Sequence, residues 1–512
     1  MGLARTNSAA LLGVEGHGVA VEAHLGGGKP ALTIVGLPDT ALREARDRIR
    51  AAILNSGEYW PEEHITVSLS PASLPKRGSG FDLPIAAAVL AASGTIPSEG
   101  IHDSLLFAEL GLDGRTRAVR GVLPAVLAAV RAGHPCVVVA RGNAAEARLV
   151  PDIEVVAVDS LAELLARLRG EPYDDPDPAS DDPDPDAPAP PASDHPARPD
   201  LADVHGQAVA RRAVEISAAG GHNLFLVGPP GTGKSLLAER LPSVLPPLTQ
   251  SESIEVTTIH SVAGTLPRGT PLITEPPFCD PHHTATRAAI IGGGTMHLRP
   301  GSVSLAHRGV LFVDEAPEFS RGVLDSLRQP LESGEVVVAR SAATARFPAR
   351  FLFVMAANPC PCGKPGTSCV CPSPVRRRYL ARLSGPLLDR VDLKVELHPV
   401  TRAELLADRA YAESSPTVAA RVAEARARAA HRLADTPWAT NAAVPGGELR
   451  RRFPVGAEAL RVLAAALDRG EISARGVDRV LRVAWTLADL AGRRTPEPED
   501  TGYAFALWSG SA

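Results

Sequence analysis

Apolar residues in this chain gather into short runs that end in unusual polar residues. The segments "LFLV" at 224–227, "GVLFV" at 309–313 and "RFLFVMAA" at 350–357 read as buried strands. After a glycine-rich turn, the first continues into "KSLLAERL", 234–241, whose apolar positions recur at helical spacing. Residues 472–492, "ISARGVDRVLRVAWTLADLAG", carry the period of an amphipathic helix and predict part of a small helical lid. "GEVVVARSAATARFPA", 334–349, reads as a β-hairpin. The longest apolar run, "LPIAAAVLAA" at 83–92, is too short to span a bilayer, so no membrane partner is expected. Together these elements predict an α/β fold in which a mostly parallel sheet is flanked by helices.

At 512 residues the chain has room for two to four domains, and 45% hydrophobic with 22% charged residues is ordinary for a soluble globular protein. One stretch breaks the pattern. Residues 171–198 hold nine acidic residues, one arginine and many prolines, with almost no large apolar side chains. Such a segment cannot bury enough surface to offset its ordering entropy, which predicts a disordered, semi-extended linker. It separates residues 1–170 from 199–512, the latter divided into a core, 199–400, and a lid, 401–512. Formal net charge is −5, but the linker alone carries −8, leaving the rest at +3 and removing an objection to nucleic acid as a partner. The N-terminus lacks the apolar core of a secretory signal. Six cysteines form no disulfide framework, and a cytoplasmic location is expected.

The candidate chemistry lies at the ends of the three apolar runs. Gly228, Pro229, Pro230, Gly231, Thr232, Gly233, Lys234 and Ser235 match G-x-x-x-x-G-K-[ST] between a strand and a helix. The glycines let backbone N–H groups curl around phosphates. Lys234 is expected to pair with the β- and γ-phosphates of ATP, and Ser235 to ligate Mg²⁺. The second run ends in Asp314 and Glu315. A carboxylate there is costly unless it meets a cation, so Asp314 is assigned to Mg²⁺ and Glu315 to polarising the attacking water. The third ends in Asn358, able to orient water or touch the γ-phosphate. This succession resembles that of AAA+ ATPases. Such rings complete each site with a charge from the next subunit, and Arg390 in "SGPLLDRVDL" stands where an arginine finger is expected; a helix-end arginine paired with Asp389 or Asp392 is the alternative. Arg475, at the start of the lid helix, is a second-sensor candidate or an exposed arginine.

The segments "VHGQAVARRAVEISAAGGHNLFLVGPPGTGKS", "PHHTATRAAIIGGG", "AHRGVLFVDEAPEF", "ANPCPCG" and "SARGVDRVLRVAWTLADL" resemble the magnesium-chelatase-related branch of AAA+ proteins, and within it the ComM/YifB family. The likeness extends to "IVGLPDTALREARDRIRAAILNSG" and "LPKRGSGFDLPIAAAVLAASG" and covers nearly everything but the linker. It implies a homo-hexameric, ATP-driven motor, with ComM-type members promoting branch migration during DNA uptake and recombination; single-stranded or branched DNA is the expected partner. It also implies that residues 1–170 resemble the proteolytic domain of Lon, which uses a Ser nucleophile and a Lys base. Here Gly80 stands at the nucleophile position, Ser79 one residue off, Leu123 at the base position, and no lysine lies between Lys76 and Lys234. A Lon-like fold without peptidase activity is expected. Two other functions remain open: a chelatase- or chaperone-type remodeller of a protein partner that does not bind DNA, and, disfavoured by Gly80 and Leu123, an ATP-dependent protease.

Cys360, Cys362, Cys369 and Cys371 crowd into "CPCGKPGTSCVC". Four thiolates on a short loop suit structural Zn²⁺, although the C-x-C spacing is tighter than usual; free thiols or two strained disulfides are the alternatives. Arg376, Arg377 and Arg378 follow, either as a DNA-contacting cluster or as a solvated helix start. In related motors the hairpin lines the ring pore, so Arg340 and Arg346 are candidate phosphate contacts or, alternatively, stray surface arginines. His282 and His283, near Asp280 and Cys279, read as loop packing rather than a metal site.

Overall fold

The structure, a computed structural model, describes residues 2–36, 40–174, 199–267, 271–294, 298–340, 343–364, 368–402 and 412–512. The linker expected at 171–198 lies, from residue 175 on, outside the described residues.

The N-terminal region is built on a seven-stranded sheet. Its strands are β1 (Gly2–Leu12), β2 (Glu15–Gly26), β3 (Ala31–Val35), β4 (His64–Ser70), β5 (Ser104–Phe107), β6 (Cys136–Ala140) and β7 (Glu154–Val158), in the order β3-β4-β2-β1-β5-β6-β7. In β2 the side chains of Val19, Val21, Ala23 and Leu25 alternate into the core, as a pleated strand with one face covered requires. The apolar run 83–92 is the body of α1 (Asp82–Ala92), buried along its whole length. A helix that is apolar all round belongs in a core, and this one packs against β1 and β2.

The second sheet carries the candidate chemistry. Its strands are β8 (Leu224–Val227), β9 (Phe278–Cys279), β10 (Val310–Val313), β11 (Leu352–Ala357) and β12 (Leu393–Glu396), all parallel, in the order β9-β10-β11-β8-β12. Parallel sheets need cover on both faces, and the alternation along each strand supplies two cores. Leu224, Leu226, Val354 and Ala356 join one, with helix 208–220 and the C-terminal helices; Phe225, Phe353, Met355 and Ala357 join the other. The C-terminal helices include Ser415–Arg432, Ala457–Asp468, Ala474–Leu490 and Pro498–Ser509. The predicted amphipathic helix is Ala474–Leu490: the Ser473 side chain accepts from the Gly476 N–H, and Val480, Val483, Ala484 and Leu487 form its buried stripe. The predicted hairpin is also present, pairing Glu335–Arg340 with Ala343–Pro348. Among the described residues, no helix is long and apolar enough to cross a membrane.

Because the five strands are parallel, their C-terminal ends share one edge of the sheet and their N-terminal ends share the other. That separation organises the site.

Candidate active site

At the C-terminal edge, β8, β10 and β11 end side by side and deliver the phosphate loop, Asp314–Glu315 and Asn358 to one place. The loop is tied to its neighbour strand by the Gly228 N–H, which donates to the Ala357 carbonyl at 3.1 Å. Gly233 has φ +90°, with open space where a side chain would stand; only glycine adopts this turn without strain. Lys234 is 8% exposed, and its Nζ donates to the carbonyls of Gly228 (2.7 Å) and Pro229 (2.9 Å) and to Asn358 Oδ1 (3.2 Å). Burial lowers its pKa, opposed by the nearby charges of Asp314 and Glu315. Ser235 Oγ donates to Asp314 Oδ2 at 2.7 Å, joining the two residues assigned to Mg²⁺.

Glu315 has φ +48°, an unfavourable backbone for a non-glycine residue. This turn projects its side chain beside His283, whose Nδ1 lies 3.5 Å from Glu315 Oε2. The His283 ring also packs on His282, with centroids 4.1 Å apart. His282 and His283, read from the sequence as loop packing, follow β9 at the same edge as the phosphate loop. Their position after a strand end was the available signal, but strand Phe278–Cys279 is too short to read from sequence.

Arg390 and Arg475 lie at the other edge. Asn223, immediately before β8, donates to the Arg390 carbonyl (2.8 Å) and accepts from the Phe353 N–H (3.0 Å). The four-residue strand β8, spanning roughly 13 Å, separates this edge from the phosphate loop. Arg390 bonds Glu332 Oε2 at 2.7 Å, rather than Asp389 or Asp392. Arg475 shares a cavity of about 430 Å³ with Arg390, Arg479 and Lys394. Neither Arg390 nor Arg475 is placed on the phosphate loop of its own chain. Beneath them Asp392 is buried and accepts from Arg479 at 2.6 Å. Burial alone would raise its pKa, but His222 and the charges of Arg479 and Arg482 pull it down to about 2. This partly buried pair joins the lid helix to the sheet and was invisible in the sequence, its members lying 87 residues apart.

No disulfide joins the six cysteines, so the alternative of two strained disulfides in the loop is not adopted. The four sulfurs of Cys360, Cys362, Cys369 and Cys371 lie within 4.8 Å of one another. Arg376, Arg377 and Arg378 are exposed on helix Ser373–Leu380. On the hairpin, Arg346 is exposed and bonds Glu335 Oε1 across the strands at 2.9 Å; the Arg340 side chain lies outside the described residues.

In the N-terminal region, Ser79 Oγ donates to Glu109 Oε2, and both residues line a cavity of about 370 Å³ with Gly80, Arg77 and Arg120. A methyl group on Gly80 would stand 2.7 Å from the Phe107 ring. Leu123 is buried, and Lys76 is sealed inside with its Nζ donating to the Pro71 carbonyl.

A parallel sheet with a phosphate loop, an acidic strand end and a polar strand end at one edge defines a P-loop protein of the AAA+ type. Family models for "Magnesium chelatase, subunit ChlI" match residues 200–405, "Subunit ChlI of Mg-chelatase" residues 21–143, and "Magnesium chelatase, subunit ChlI C-terminal" residues 412–507. An uncharacterized protein of Mycobacterium tuberculosis is 51% identical over 99% of both chains. The uncharacterized protein YifB of Salmonella typhimurium is 42% identical over 96% of this chain and 94% of its own, and the competence protein ComM of Haemophilus influenzae is 40% identical over 96% and 95%. The chain belongs to the magnesium-chelatase-like ComM/YifB family. Membership points to ATPase-type activity with ATP and Mg²⁺ as ligands.

Proposed function

We propose that this protein is an ATP-hydrolysing motor that assembles as a homo-hexameric ring and drives branch migration of DNA, in the cytoplasm. The observation that carries the reading is the separation of phosphate loop and arginine pair on opposite edges of one sheet. A site so divided is completed when the arginine edge of one subunit meets the phosphate edge of the next, which is a head-to-tail, ring-forming contact.

The residues fit ATP and Mg²⁺. The loop from Gly228 to Ser235 presents its N–H groups to the phosphates, and Lys234 exchanges its two carbonyl partners for phosphate oxygens. Ser235 and Asp314, already bonded, would hold Mg²⁺, which would supply positive charge against the phosphates. Glu315 accepts a proton from the attacking water, whose oxygen bonds to the γ-phosphorus as the bond to the ADP oxygen breaks. Asn358 orients that water. Arg390 and Arg475 of the neighbouring subunit balance the charge that develops.

DNA is favoured as the client by the +3 charge outside the linker, by the exposed Arg346 and by the Arg376–Arg378 cluster; Arg340 is assigned with them from the sequence. The name of the Haemophilus relative, a competence protein, agrees with this reading. Residues 1–170 act as a non-proteolytic module, and the four cysteines hold one structural Zn²⁺. The magnesium-chelatase matches favour a second reading, a remodeller of a protein client that uses the same ATPase. ATP hydrolysis measured without DNA and with single-stranded, duplex and four-way-junction DNA separates the two. The motor reading expects stimulation by DNA, lost as salt rises, with Arg346→Ala flattening the salt slope by about one contact. Indifference to all three DNAs transfers the function to a protein client.

A further inference from the structure

The four-cysteine loop adjoins the phosphate loop at two points. Upstream, Cys360 stands two residues after Asn358, the residue whose Oδ1 accepts from Lys234 Nζ at 3.2 Å. Downstream, Gly363 directly follows Cys362 with φ +64°, its N–H donating to the Cys360 carbonyl at 3.1 Å. A methyl group on Gly363 would stand 2.8 Å from Cγ of Pro230, inside the phosphate loop. The turn that carries the first cysteine pair thus follows Asn358 in the chain and comes so close to Pro230 that no side chain fits between them.

The sulfurs are arranged for a metal. Cys360 Sγ lies 3.3 Å from that of Cys362 and 3.5 Å from that of Cys369, and Cys362 and Cys369 are 3.7 Å apart. Zn–S bonds of about 2.3 Å in a tetrahedron put sulfurs roughly 3.8 Å apart, whereas a disulfide needs about 2.0 Å. A full set of four thiolates leaves no open position for a reacting water, so the ion is structural.

We infer that zinc in this loop and ATP in the phosphate loop raise each other's affinity through the Gly363–Pro230 and Asn358–Lys234 contacts. The inference rests on the zinc reading above. Zinc fixes the Cys360–Gly363 turn, and the turn walls Pro230 and aims Asn358 at Lys234. Linkage is reciprocal: if zinc tightens nucleotide binding by some factor, nucleotide tightens zinc binding by the same factor.

The test uses the full-length protein and three measurements. Elemental analysis after purification without chelator is expected to give about one zinc per chain. Binding of a fluorescent, non-hydrolysable ATP analogue should weaken by about 5–10-fold once a chelator has removed the zinc. Competition against a chelator of known affinity should show zinc held tighter by the same factor when the analogue is saturating. Gly363→Ala strains its backbone and presses on Pro230, so it should retain zinc yet lose nucleotide affinity; this guards against misreading a stripped protein that has merely unfolded. Zinc bound at one per chain, with both affinities independent of each other and of Gly363→Ala, overturns the coupling and leaves the zinc site standing. Metal-free protein with four titratable thiols in the loop overturns the zinc reading and the coupling with it.

Discussion

Two glycine turns in this molecule carry nearly the same inventory and differ in what stands before them. The turn at 75–80 has Lys76, Ser79 and a carboxylate, Glu109, bonded to the serine. The turn at 228–235 has Lys234, Ser235 and a carboxylate, Asp314, bonded to the serine. In the second, Gly231 and Gly233 open onto free space, and Lys234 is held by Asn358 and by two carbonyls that a phosphate can replace. In the first, Gly80 faces the Phe107 ring and Lys76 is fully buried on a carbonyl. Ser79 and Glu109 do face a cavity, but Lys76 is not among its lining residues. Lys, Ser and an acid do not make a site unless the fold turns all of them towards the same space.

Substitutions can break this contrast. The largest effect is expected from Lys234→Ala, which should abolish ATP hydrolysis and reduce nucleotide binding to background. Glu315→Gln should keep nucleotide binding and slow turnover on the order of 100-fold, as expected for loss of a residue that takes up a proton; an unchanged rate removes Glu315 from that role. In the N-terminal turn the effects should fall on stability instead. Gly80→Ala drives a methyl group towards Phe107 and should cost about 1–3 kcal/mol, read by denaturant unfolding, while Gly80→Ser should produce no casein hydrolysis. Ser79→Ala, the smallest change, should cost about 1 kcal/mol for its lost hydrogen bond and leave ATP hydrolysis unchanged. Peptidase activity that disappears in Ser79→Ala contradicts the contrast.

What the sequence revealed of the site was local. Strand, glycine turn and helix at 224–241 are consecutive, and Asp314–Glu315 and Asn358 each end an apolar run, so spacing alone picks them out as candidates. The partners that cross the fold were not legible. Glu332 meets Arg390 across 58 residues, and Arg479 meets Asp392 across 87; nothing in the composition of either segment announces the other. Arg475 read as a second-sensor candidate or an exposed arginine, and only the folded chain reveals that it shares a cavity with Arg390. In the N-terminal region, the alternating strands fall into a sheet order, β3-β4-β2-β1-β5-β6-β7, that depends on long-range pairing rather than local pattern.

In the proposed ring, the two edges of the sheet hold two halves of one hydrolytic site, joined between subunits. Arg390→Ala keeps the phosphate edge and Lys234→Ala keeps the arginine edge, so each variant alone should be inactive. Mixed in equal amounts and reassembled, they should form intact junctions at about a quarter of the interfaces in a head-to-tail ring. The predicted result is recovery of ATP hydrolysis to about that fraction of the wild-type rate. Mixed rings, verified by differential tagging, that hydrolyse no more ATP than the separate variants contradict the claim.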